Sequence, residues 1–222
     1  MDIGVHLFDD LAPFYDAWFE SPLGARAAAL EWRLLSELAQ PQPGEQALEV
    51  GVGTGYFARR MAQAGLRVAG VDISLPMLRE AARKEPPLGL LRGDAGALPV
   101  QRERFDLVLT VTMLEFVPDP ALVLAEMWAA LRPGGRLVVA VLNAWSPWAR
   151  RRATPYDQAH FFSPPELRAL LRRYGPGRWG STVFFLPSGR LLRCSRLLEA
   201  LGRGCLRPFG AFLAGRVDKP AT

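Results

Sequence analysis

The chain has almost nothing with which to staple itself or to hold a metal. Two cysteines (Cys194, Cys205) and two histidines (His6, His160) are spread over 222 residues with no CxxC pair. Neither a disulfide framework nor a Cys/His zinc site can be built from that set, and a reducing cytoplasm is the compartment it fits. No apolar run approaches the roughly 18 residues that span a bilayer. The opening MDIGVHLFDD carries acids where a secretory leader carries basic residues, so secretion is not expected. Internal repeats and low-complexity tracts are missing as well. With 50% hydrophobic and 22% charged residues, the composition excludes a disordered or collagen-like chain. A chain of this length buries roughly 70% of its unfolded surface around one core, so residues 1–222 are expected to form a single domain.

Lysine is also scarce, with only Lys84 and Lys219 among 27 basic residues. The remaining arginines are unevenly balanced. Up to residue 144 there are 13 basic and 18 acidic side chains, a balance of −5; beyond it there are 14 and 4, a balance of +10. A solvated face accounts for this, and so does a surface that meets anions such as lipid headgroups, nucleic acid or an acidic substrate.

What is present is an alternation of helices and strands. Residues 24–39 repeat apolar positions at helical spacing and end before Pro41 and Pro43, which predicts a helix. QALEV is a strand running into glycines, followed by a helix from Tyr56 to Ala64 and a second strand, LRVAGVD. A helix over 75–84, strands LGLLRGD and FDLVLTVT, a helix over 121–131 and strand GRLVVAVLN complete the series. Strands apolar on both faces and separated by helices imply a parallel sheet covered on both sides, a doubly wound α/β fold. After Asn143 the rhythm breaks into AWSPWARRRATPYDQAHFF, read as an inserted loop or short helices over the sheet's edge. Ser163 then caps a helix, STVFFLP reads as a strand, residues 188–202 as a basic amphipathic helix and GAFLAGRV as a last strand. The late strands are expected to pair antiparallel at the edge. Residues 1–45 thus read as a helical cover, 46–143 as a ligand-binding core and 144–222 as a substrate-side portion.

The first strand ends in Glu49, and the turn beyond it reads Gly51, Gly53 and Gly55. Three glycines exceed the needs of a turn and suit a backbone against which a ligand lies, at the carboxyl end of a strand where open sheets bind ligands. GxGxxG would need glycine at position 56, where Tyr56 stands, and no GxxxxGK[ST] follows, so NAD and ATP are disfavoured. Asp72 ends the second strand, where a carboxylate can accept from both hydroxyls of a ribose; capping of the next helix by Asp72 or Ser74 is compatible with that role.

At this point the sequence resembles the class I S-adenosylmethionine-dependent methyltransferases, most closely the type 11 methyltransferase domain. The resemblance rests on LEVGVGTGYFARRMAQAGLRVAGVDISLPMLREAARK, LRGDAGALPVQRERFDLVLTVTMLEFVPDP and ALVLAEMWAALRPGGRLVVAVLN, with a weaker match in FDDLAPFYDAW. It implies a seven-stranded, mostly parallel Rossmann-like sheet with an antiparallel final strand, and S-adenosylmethionine as cofactor. It further implies that Glu49, Gly51, Gly53 and Gly55 face the methionine part, Asp72 the ribose and Ile73 the adenine face. On the same basis Asp94 and Ala95 read the adenine edge, Thr112 lies near the cofactor's amino group, and Tyr15 covers the methionine carboxylate.

A sulfonium already activates its methyl group, so positioning supplies most of the acceleration and a general base is optional. Two residues are candidates. Glu115, in TMLEFVPDP, is suited to act as a base or bind a cationic group, or else is a solvated or capping glutamate. His160 is the only histidine of the substrate half; its ordinary pKa suits base work, and packing among Phe161, Phe162 and Tyr156 is the competing account. Trp145, Trp148, Tyr156, Phe161 and Phe162 suit a pocket roof or a loop core equally. The basic helix is expected to pack its leucines on the sheet, with a lid over a greasy substrate or a membrane-surface contact as alternatives. The resulting expectation is methyl transfer to a small or lipid-like acceptor. An RNA acceptor is the runner-up because of the basic C-terminal third; against it, TMLE stands where [ND]PP[YF] would follow the fourth strand. A non-enzymatic cofactor-binding protein is a third reading.

Overall fold

The computed structural model describes residues 8–150, 156–202, 204 and 206–221; Arg151, Arg152 and Cys205 lie outside them. A seven-stranded sheet is built from β1 (Gln46–Val50), β2 (Arg67–Asp72), β3 (Gly89–Arg92), β4 (Phe105–Val111), β5 (Leu131–Leu142), β6 (Gly177–Thr182) and β7 (Phe212–Asp218). Their order is β3-β2-β1-β4-β5-β7-β6. The first five strands pair parallel, and β7 pairs antiparallel with both β5 and β6. Strand order reverses between β1 and β4, which opens a crevice at their carboxyl ends.

Alternation along each strand sends side chains to two cores. Leu107, Leu109, Val138, Ala140 and Phe212 face one side, where α2 (Pro22–Ala39) and α3 (Tyr56–Gln63) cover them. Leu48, Val108, Leu137, Val139 and Leu213 face the other, under α5 (Pro120–Ala130) and α6 (Pro164–Arg172). The helices start where local chemistry satisfies their free N–H groups. Ser21, Ser74, Asp119 and Ser163 accept side-chain caps for α2, α4 (Leu75–Ala82), α5 and α6, each with proline in the first turn. Ser163 and Glu166 complete a reciprocal capping box, the arrangement that satisfies two donors at once.

The C-terminal third departs from expectation. The sixth strand is Gly177–Thr182, not 181–187. Val183 takes φ +66°, a conformation that a β-branched residue rarely adopts, and this breaks the ladder. The following Phe184 N–H donates instead to the Glu199 carboxylate at 3.0 Å, while Phe185 is buried against Trp148. The basic helix is also shorter than 188–202. Gly189 and Leu191 take φ of +76° and +69°, so a single tight turn precedes α7 (Ser195–Gly202). Its leucines divide: Leu198, with Leu192 before the helix, packs against the core, whereas Leu197 and Leu201 are exposed, and Ser195, Glu199 and Gly202 face inward.

Candidate functional site

The turn after β1 needs glycine for two different reasons. A side chain at Gly51 would begin 2.3 Å from the Met113 side chain, so the loop after β4 packs directly on it. At Gly53, φ is +51° and an added Cβ would meet nothing within 4 Å; here the backbone presents an open face. Gly53 N–H donates to one Asp72 oxygen at 2.8 Å and Ser74 N–H to the other at 2.9 Å. The Ile73 N–H also bears on this carboxylate, whose two oxygens offer about four acceptor sites in all, so capacity remains for a ligand. Burial pushes the Asp72 carboxyl up, and the Ser74 and Gly53 bonds oppose it. Ser74, not Asp72, caps α4, its hydroxyl accepting from Met77 N–H. Beyond Asp72 the Ile73 side chain is exposed. Asp94, also exposed, accepts from Gly96 N–H at 2.8 Å beside Ala95.

The segment before α2 closes over this turn. Thr54 Oγ1 donates to Asp16 at 2.6 Å, and Lys84 ion-pairs with the other Asp16 oxygen while donating to the Thr54 carbonyl at 3.2 Å. Ser74 donates in turn to Asp9. Tyr15 is carried by this cover. Its ring meets Phe8 edge-on at 6.2 Å, Phe8 meets Phe116 at 4.8 Å, and Phe116 meets Tyr156 at 5.9 Å. The Tyr15 and Tyr156 hydroxyls hydrogen-bond to each other, which closes the ring of four aromatics. The neighbouring Tyr156 hydroxyl, and then burial, hold Tyr15 well above the ordinary phenol range.

Carboxyl groups surround that ring. β4 ends at Thr112, a β-branched residue at φ +48°, and such strain commonly marks a functional site. One turn on, Glu115 is buried. One of its oxygens accepts from Leu142 N–H and the other has no partner. Burial pushes its pKa up to about 8. Glu49 is equally buried with one unpartnered oxygen and is likewise pushed to about 8, by burial above all, with Ala58 N–H and Arg59 opposing and Asp72 adding to the shift. Glu31 on α2 was not foreseen as a site residue. It is half-buried and raised by burial to about 7, and its charge is felt by both tyrosines. The signal was present in the sequence: Ala27, Ala28, Leu34 and Leu35 put position 31 on the apolar side of the helix.

His160 is not brought into this group. Its backbone N–H donates to the Glu115 carbonyl at 2.9 Å, but its side chain is 61% exposed and faces Glu166 at 3.6 Å. It lines a groove of about 750 Å³ with Asp119, Phe162 and Arg173, separate from the glycine turn. Of the aromatic candidates, Tyr156 joins the ring, Trp148 donates to the Phe185 carbonyl at 2.8 Å, and Trp145 is exposed. Among the described residues no cluster fit to hold a metal is found.

A buried carboxyl oxygen with no partner, an open glycine face and an acid with free acceptor sites fit a cationic amino acid joined to a ribose. Known proteins agree. A family model described as "Methyltransferase domain" matches residues 48–139. A demethylmenaquinone methyltransferase of Renibacterium salmoninarum is 38% identical over 60% of this chain and 56% of its own length. One from Beutenbergia cavernae is 36% identical over 74% of this chain and 68% of its own length. The chain thus spans little more than half of some curated relatives. A Thermotoga maritima crystal structure, described as a SAM-dependent methyltransferase and possible histamine N-methyltransferase, superposes with a TM-score of 0.77 at 28% identity, covering 96% of this chain and 99% of that one.

Proposed function

The chain belongs to the S-adenosylmethionine-dependent methyltransferases, and from that premise we propose that it methylates a small, lipid-like acceptor held against the ring of Phe8, Tyr15, Phe116 and Tyr156. The observation that carries this reading is the ring itself, an apolar wall beside Asp72 that has buried carboxyl groups at its margin. Relatives named as demethylmenaquinone methyltransferases support a ring-bearing apolar acceptor.

In this reading Gly51, Gly53 and Gly55 let the cofactor lie against the main chain, and the free Glu49 oxygen receives its ammonium group. Asp72 receives the ribose hydroxyls, Ile73 packs on the adenine, and Asp94 with the Ala95 N–H reads the adenine edge. Thr112 and Tyr15 border the methionine end. The cofactor, once bound, supplies a methyl group already activated by a sulfonium. On transfer of that methyl group to the acceptor atom, the unpartnered oxygen of Glu115 would take the proton that the acceptor gives up. With a pKa near 8, that carboxyl is matched to a weakly acidic hydroxyl or ring carbon. His160, turned to the surface, takes no part.

Methyl-labelled S-adenosylmethionine incubated with the protein and a demethylated quinol tests the reading. Label entering the organic phase is expected. Label entering only water-soluble amines would replace the acceptor class, and Glu31 and Glu115 would then be read as carboxylates for an ammonium group.

A further inference from the structure

Helix α7 is built inside out. Ser195, Glu199 and Gly202, at helical spacing, form its buried face beside the half-buried Leu198. Arg26 Nε donates to Ser195 Oγ at 2.9 Å, and Thr182 Oγ1 donates to Glu199 at 2.6 Å. The other Glu199 oxygen takes Phe184 N–H at 3.0 Å. A side chain on Gly202 would begin 2.1 Å from the Phe184 ring. The helix therefore cannot roll to bury Leu197 and Leu201 without stranding a buried carboxylate, which is strongly unfavourable.

The opposite face is greasy and cationic. Leu197 is 62% exposed, Leu201 51%, and beside the helix Leu191 is 50%, Leu206 40% and Phe209 46% exposed. Arg190, Arg193 and Arg196 are exposed alongside them and make no ion pair among the described residues. Between positions 183 and 211 the only acid is Glu199, and it points inward. Leucines with arginines and no outward acid form the pattern of a helix lying in a bilayer interface. A symmetric contact with a second copy would set these arginines against one another. Placement agrees. Phe212 pairs with both Thr182 and Leu142, so the segment leaves and rejoins the sheet at the carboxyl-end edge, where Leu142 N–H binds Glu115.

We propose that the outward face of α7 and its flanking turns docks on an anionic lipid bilayer, which turns the acceptor side of the sheet toward the membrane. No helix among the described residues is long and apolar enough to cross one, so the contact is peripheral. It is independent of which acceptor is methylated.

Co-sedimentation of the whole chain with vesicles of one part phosphatidylglycerol to three parts phosphatidylcholine is the test, read without cofactor or acceptor. We expect binding at least about tenfold tighter than to pure phosphatidylcholine. It should collapse in about 0.5 M salt, where screening shortens to about 4 Å. Joint substitution of Leu197→Glu and Leu201→Glu should abolish pelleting while circular dichroism and cofactor affinity stay unchanged. Arg190→Gln, Arg193→Gln and Arg196→Gln should each weaken it about fivefold. Equal binding to neutral vesicles, pelleting unaffected by either set, or a dimer in sedimentation velocity that the Glu pair dissolves would overturn the proposal. So would tight RNA binding lost with the same arginines. None of those results would bear on methyl transfer.

Discussion

Burial without a partner sets Glu49 and Glu115 apart from the paired carboxylates of the chain. Each has an oxygen closed to water and bound to nothing, a costly state that a cation or a departing proton relieves. Glu115→Gln should therefore fold and bind cofactor normally but turn over about 10²- to 10⁴-fold more slowly. The wild-type rate should rise as pH approaches about 8, because only the ionised carboxyl accepts a proton, and the variant should lose that dependence. His160→Ala should leave turnover within about twofold, since no reacting group is near an exposed imidazole; a large loss would return His160 to the site. If Asp72 receives the ribose as proposed, Asp72→Ala removes a charge-assisted acceptor, and calorimetry should find S-adenosylmethionine affinity down at least about tenfold.

The elements proposed to hold the cofactor are legible in the sequence because their physics is local. Glycines, caps and β-runs over 46–143 sit within a few residues of the structure they cause, so the first five strands lie where the alternation predicts them. The C-terminal third is less legible because the decisive partners are distant in sequence. Glu199 is bound by Thr182 and Phe184 and Ser195 by Arg26, and these contacts leave Leu197 and Leu201 outside while Leu192 and Leu198 pack inward. The aromatic ring was equally hidden, since Phe8, Tyr15, Phe116 and Tyr156 come from three segments. The cover over residues 8–20 is similarly long-range, fastened by Asp16 to Thr54 and Lys84. Replacing Asp16 with Ala should release S-adenosylmethionine about three- to tenfold faster in stopped-flow displacement, a modest effect because this partly exposed ion pair is screened. Asp16→Asn, which keeps an acceptor for Thr54, should fall between the two.

At the scale of the whole molecule, concentrating acids at one edge of the sheet makes stability depend on pH. Burial raises Glu49 and Glu115 from an ordinary 4.5 to about 8 in the folded chain, and Glu31 to about 7. In the unfolded chain these groups ionise near the ordinary value. Between about pH 4.5 and 8 the unfolded state therefore binds fewer protons than the folded one, so stability falls as pH rises, and the loss levels off above about 8. Each fully displaced group contributes a slope of up to about 1.4 kcal/mol per pH unit. Urea unfolding midpoints should drop steadily from pH 5 to pH 8, and Glu49→Gln should flatten part of that fall. S-adenosylmethionine should steepen its own protection over the same range, because its ammonium group prefers the ionised form of Glu49: affinity should rise with pH and level off above about 8. Affinity unchanged from pH 6 to 8.5 would mean that Glu49 does not face the cation.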